Sequence, residues 1–112
     1  MTKKFVVPTS YGVLDNHFGH CSHYTIVDVK NNVIMDEQIV DSPPHEPGKL
    51  PLFLIEKGIT DVIAGGIGES AIQIFNQNQV NVYVGAPQLK AKALVDGFLS
   101  RTLKFKANCC DH

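Results

Sequence analysis

Tyr24-Thr25-Ile26-Val27-Asp28-Val29 and Val33-Ile34-Met35-Asp36-Glu37-Gln38-Ile39-Val40, joined by Lys30-Asn31-Asn32, are the stretch on which the fold turns. Both runs are β-rich, and the linker holds asparagines, which tolerate the left-handed backbone of a tight hairpin turn. The two runs are therefore expected as antiparallel neighbours. Such a hairpin has no place in an all-parallel sheet.

Upstream, Lys4 to Val7 reads as a first strand closed by Pro8, and a long polar segment follows from Thr9 to about His23. Downstream, the loop Asp41-Ser42-Pro43-Pro44-His45-Glu46-Pro47-Gly48 carries three prolines that remove backbone donors. Leu50 to Lys57 reads as a helix with Pro51 in its first turn and Gly58 as its stop. Asp61 to Ala64 is a short buried strand running into Gly65-Gly66-Ile67-Gly68, and a helix follows from Glu69 to about Asn78. Val80 to Val84 is the next strand, closed by Gly85-Ala86-Pro87. Ala91, Leu94, Val95, Phe98 and Leu99 then form the apolar stripe of a last helix.

The order is a hairpin-bearing group of strands followed by strands alternating with helices. Right-handed crossovers place helices on both faces of a mostly parallel sheet. The expected architecture is a three-layer ribonuclease H-like α/β fold. Its sheet has five strands in the order 3-2-1-4-5, and the second strand is antiparallel. One domain is expected over residues 1–103, with a Cys/His-containing tail over 104–112.

With 112 residues, of which 44% are hydrophobic, the chain can bury a core without disulfides or structural metal. The net charge of −1 and the scattered Lys and Arg argue against nucleic acid, which calls for a clustered basic face. No apolar run approaches the ~20 residues that span a bilayer, so no membrane partner is expected. The opening residues, Met1 to Pro8, read as too short and too quickly broken for a secretion signal, so none is expected. A cytoplasmic protein with reduced thiols is expected. Three cysteines, two of them adjacent, make a poor disulfide framework.

In open α/β sheets, ligands bind beyond the carboxyl ends of the parallel strands. In this topology that edge collects the Thr9–His23 segment, the loop bearing His45, Gly65 to Gly68, and Gly85 to Pro87. The densest cluster is Asp15-Asn16-His17-Phe18-Gly19-His20-Cys21-Ser22-His23, with three histidines and a thiol. Imidazole with thiolate suits zinc, copper(I) or iron better than hard cations. His20 and Cys21 are the leading ligand candidates, followed by His17, His23 and His45. Each histidine taken alone reads rather as a solvated loop residue; it is the crowding of the cluster that points to ligands.

Gly65, Gly66 and Gly68 open a helix after a strand, where backbone N–H groups and the helix dipole suit an anion. A tight strand-to-helix turn accounts for the same glycines. The pattern is neither G-x-G-x-x-G nor a Walker loop. Cys109-Cys110-Asp111-His112 ends the chain. Adjacent cysteines do not close an unstrained disulfide, which leaves metal binding, redox chemistry or a tail with no role. Eight extended residues span up to about 26–28 Å, enough to return Cys109 and Cys110 to the site edge.

Together, Asp15-Asn16-His17-Phe18-Gly19-His20-Cys21, Gly65-Gly66-Ile67-Gly68 with Ala71, and Val82-Tyr83-Val84-Gly85-Ala86 resemble the dinitrogenase iron–molybdenum cofactor-binding family. That family includes NifX-like and NafY-like carriers and domains like the NifB C-terminal domain, and the resemblance runs from about Lys4 to Leu103. It implies a ribonuclease H-like fold and binding of iron–molybdenum cofactor, a precursor or a related iron–sulfur species. It implies a non-enzymatic carrier whose partners are cluster donor and acceptor proteins. The tail lies outside the core resemblance.

Three other functions compete with this reading. A nuclease needs clustered acidic residues for two metal ions, and the first strand offers none. A thiol hydrolase needs a base facing Cys21, for which His20 or His23 could serve. Neighbours in sequence rarely face one another in an extended loop, however, and no orienting third residue is evident. A zinc-binding or thiol redox-sensing module built from Cys21, Cys109, Cys110 and the histidines is the alternative that remains.

Overall fold

The computed structural model describes residues 2–15, 18, 23–42, 49–103 and 106–107. Within them the chain runs β1 (Thr2–Ser10), β2 (Val13–Leu14), β3 (His23–Lys30), β4 (Val33–Asp41), α1 (Lys49–Glu56) and β5 (Asp61–Ile63). It continues through α2 (Glu69–Gln77), β6 (Asn81–Val84), α3 (Ala91–Leu99) and β7 (Lys106–Ala107). The strands make one mixed sheet ordered β4-β3-β1-β5-β6-β7, with β2 paired to β1 off that line.

The hairpin forms as the sequence predicts. Asn31 and Asn32 both adopt positive φ, 53° and 65°, the geometry a two-residue turn between right-twisted strands demands. β3 pairs antiparallel to both β1 and β4, while β1–β5 and β5–β6 are parallel. The ladder shifts register at Asp28/Val29, where β4 passes from Asp36 to Ile34 and Met35 is the extra residue.

The five expected strands stand in the expected order, but five is too few. β2 and β7 extend the sheet, each with two residues. Neither is long enough to show the two-residue alternation by which strands are recognised. β1 also runs past Pro8 to Ser10, correcting the boundary at Val7. Pro8 sits between Phe5–Val6, which pair with β5, and Thr9–Ser10, which pair with β2. The ladder changes partner there, so the missing N–H breaks neither register.

Alternation along β1 builds two cores. Val6 joins Tyr24, Leu54, Val62, Ile72, Phe75 and Val82 on the α1/α2 side. Phe5 and Val7 join Val27, Ile63, Leu94 and Val95 on the α3 side. Ile72 and Phe75 of α2 are buried, and burial of such side chains stabilises by about 1.5–3 kcal/mol each. α3 ends where Thr102 and Leu103 return their N–H groups to the carbonyl of Gly97. Leu103 then lies across that glycine, so close that an ideal Cβ there would sit 2.4 Å from its Cδ1.

At the amino end of the parallel strands, Asp61 is fully buried on the α3 side. Its carboxylate accepts from Thr60 Oγ1 at 2.6 Å and Asn81 Nδ2 at 3.5 Å, and Lys3 Nζ lies 3.8 Å away. The Tyr83 phenol also bonds to it; burial, the Asp61 charge and that bond together raise the Tyr83 pKa above its ordinary value. Among the described residues, no helix is long and apolar enough to cross a membrane.

Candidate functional site

β1, β4, β5 and β6 all end at one edge, and the antiparallel β3 begins there. This is the carboxyl edge at which ligands collect in sheets of this kind. The turn after β1 is tight: Tyr11 takes φ 54° and Gly12 φ 81°. It returns the chain into β2, where Leu14 donates to the Leu89 carbonyl and Asp15 to that of Pro8, both at 2.9 Å.

Phe18 is the fixed point between β2 and β3. It is 4% exposed, and its ring meets Tyr24 edge to face at 5.5 Å and Phe75 at 5.9 Å. The Tyr24 hydroxyl donates to its backbone carbonyl. The aromatic residue of the His-Phe-Gly segment is thus a core residue on the α1/α2 side. The sequence marked it only as part of a motif. Its spacing from Tyr24 and Phe75 gives no periodic signal that would have marked it as core.

His23 opens β3 opposite Thr9 and Asp41. Its Nε2 lies 3.5 Å from Asp41 Oδ1, and both side chains are largely open to solvent. With Thr9, Ser10, Tyr11, Gly12 and Ile39 it lines a cavity of about 410 Å³. Thr9 and Thr25 share a buried hydroxyl–hydroxyl bond of 2.9 Å on this α3 side of the sheet. His23 therefore stands on the opposite face from Phe18. Tyr11, Ile39 and Asp41 were not legible as site residues, because the β1–β2 turn brings Tyr11, and the β3–β4 register brings Ile39 and Asp41, beside His23.

The glycine turn lies at the same edge, with β1 between its strand and β3. Gly65 is half-buried, whereas Gly66 and Gly68 are exposed. The Gly65 carbonyl accepts from Gly85 at 3.0 Å, and the Ala64 carbonyl accepts from Ala86 at 3.2 Å. The two post-strand turns are thus bonded together. Gly68 caps α2 with extended backbone (φ −67°, ψ 150°), makes no side-chain cap bond, and would turn a Cβ toward open space. Glu69 stands in the first turn of α2.

Of the expected ligands, His23 and the three glycines come to this edge. His17, His20, Cys21, His45, Cys109 and Cys110 lie outside the described residues. Among the described residues, no three of His, Cys, Asp and Glu gather as a metal site. The donor chemistry nevertheless suits a soft metal, because imidazole at the edge adjoins a segment bearing a thiol and two further imidazoles.

Comparison with known proteins agrees with this fold. An uncharacterised protein of Methanocaldococcus jannaschii is 29% identical over 85 residues, covering 71% of this chain and 72% of its own length. The crystal structure of PH0822 superposes with a TM-score of 0.80 at 25% identity, covering 92% of each chain. The apo form of the orange protein from Desulfovibrio gigas superposes with a TM-score of 0.79 at 20% identity, covering 93% of this chain and 92% of that one. Residues 1–101 match the family described as dinitrogenase iron–molybdenum cofactor, and the chain belongs to that family.

Proposed function

We propose that this protein is a non-enzymatic carrier that holds a metal–sulfur cluster as cargo at the carboxyl edge of its sheet. The cargo is iron–molybdenum cofactor, a precursor or a related iron–sulfur species, passed between donor and acceptor proteins in the cytoplasm. His20 and Cys21 are its principal ligands, with His17, His23, His45, Cys109 and Cys110 as further donors. Gly65, Gly66 and Gly68 present backbone N–H groups to its negative charge.

The observation that carries this reading is the seating of Phe18 between Tyr24 and Phe75. It ties the middle of the His/Cys segment to the core at the carboxyl edge of the sheet, where this reading puts the cargo. Family membership supports the class of cargo. A carrier must also release what it binds, and one or two principal donors, His20 and Cys21, permit that better than a closed four-ligand site.

The test is anaerobic reconstitution with iron, sulfide and thiomolybdate, followed by metal and sulfide analysis. Cluster uptake should be lost in Cys21→Ser and His20→Ala, with the thermal midpoint of each variant staying near that of the wild type. Retained uptake in both, with loss in a Cys109→Ser/Cys110→Ser double variant, would move the site to the tail. Zinc without sulfide in the purified protein would favour the zinc or redox module.

A further inference from the structure

The geometry points to the outer edge of β4 as a docking strand for an extended segment of a partner protein, with basic, apolar and basic side chains at alternate positions. β4 is nine residues long and pairs with β3 along one side. Among the described residues it ends the sheet, and no strand pairs with its other side.

Register assigns its faces. Glu37, Ile39 and Asp41 lie opposite Val27, Thr25 and His23, so these three share the α3 side. The row reads acid, apolar, acid. Ile39 is 65% exposed and forms a wall of the cavity shared with His23, Thr9 and Tyr11. Strand addition uses main-chain bonds for affinity and side-chain pockets at alternate residues for specificity. Here an apolar side chain opposite Ile39 would pack against its exposed side chain, the outer wall of that cavity, and cations would flank it beside Glu37 and Asp41.

Charge selects the occupant. From Val33 to Asp41 there are three acids, Asp36, Glu37 and Asp41, and no Lys or Arg. A second copy of this chain would set acid against acid, because like charges facing across a ladder destabilise it. A basic strand meets no such penalty. Position gives the contact a use: β4 ends at Asp41 beside His23, so a segment on β4 brings its own protein to the carboxyl edge. That the partner is a cluster donor or acceptor rests on the carrier reading; the strand addition does not.

The experiment uses isotope-labelled, metal-free full-length protein and a blocked peptide alternating threonine with lysine, isoleucine and lysine. Titration should slow amide exchange at alternate residues of Val33–Asp41. A backbone N-methylated copy of the peptide, with its charge intact, should not bind. Glu37→Lys/Asp41→Lys should weaken the lysine peptide by on the order of tenfold or more and gain affinity for its glutamate counterpart. Equal binding of the methylated peptide, protection away from β4, or loss of binding to both peptides in a folded variant would overturn the inference. Self-association of the free protein with β4 protected would assign the edge to a second copy instead. No metal enters this titration, so the cargo reading and the docking strand can each fail alone.

Discussion

The hydroxyl of Tyr24 bonds to the backbone carbonyl of Phe18 while the two rings pack edge to face. One side chain thereby holds its neighbour's backbone and its ring at once. The segment between β2 and β3 is thus fastened at its middle as well as at its two ends.

Phe18→Ala should remove this fastening. A buried phenylalanine truncated to alanine costs about 3–5 kcal/mol, measurable as a lower denaturant midpoint. Tyr24→Phe keeps the ring and removes the hydroxyl that donates to the Phe18 carbonyl, and should cost about 0.5–1.5 kcal/mol. If Phe18→Ala left the midpoint unchanged, the ring would not be the anchor.

Tyr83 makes an alkaline prediction. Its folded pKa is raised above the ordinary value, so the fold favours the protonated phenol. The resulting stability is fully present below the unfolded pKa of about 10 and is lost as pH rises through the folded pKa. Thermal midpoints should therefore fall above pH 10 in the wild type. Tyr83→Phe should start lower, lacking one donor to buried Asp61, and lose less over the same pH range. Parallel pH curves for the two proteins would refute the linkage.

Gly68→Asp should separate structural from binding duties at the glycine turn. The extended cap geometry and open surroundings admit a side chain whose oxygen accepts a first-turn N–H of α2. Stability should rise by about a few tenths of a kcal/mol, while the added negative charge should depress uptake of an anionic cluster. Gly66→Val should likewise block uptake more than it harms the fold. Full uptake in both variants would reduce the glycines to a turn.

Gly97→Ala tests the packing of α3 against the chain that follows it. Alanine gains about 0.8–1.0 kcal/mol of helix propensity over glycine. The new Cβ would also overlap the Cδ1 and Cγ of Leu103. Overpacking of this kind costs about 1–3 kcal/mol, so net destabilisation is expected in chemical denaturation. Adding Leu103→Ala should then remove the overlap and leave the gain in helix propensity, making Gly97→Ala stabilising in that background.

The parts of the fold legible in the sequence are those whose periodicity is local. The Asn31-Asn32 turn, the β-rich runs around it and the 3.6-residue stripe of α3 each declare themselves within a few turns of chain. β2 and β7 do not, because two residues carry no period and their pairing is decided by β1 and β6. The same division runs through the site. That His23 and the glycine turn come to the carboxyl edge was readable from topology. The cavity that Tyr11 and Ile39 complete depends on the register that sets Ile39 against Thr25 and His23 against Thr9 and Asp41.

The far side of the sheet limits how such a protein can assemble. Among the described residues, what stands beyond β6 is β7, a two-residue strand antiparallel to it. A sheet that offers nine residues at one edge and, among the described residues, two at the other has far more main-chain bonds to give at the first. Assembly through β4 is then expected to have the arithmetic of a terminator: one partner joins and growth ends, a one-to-one complex in place of a fibre.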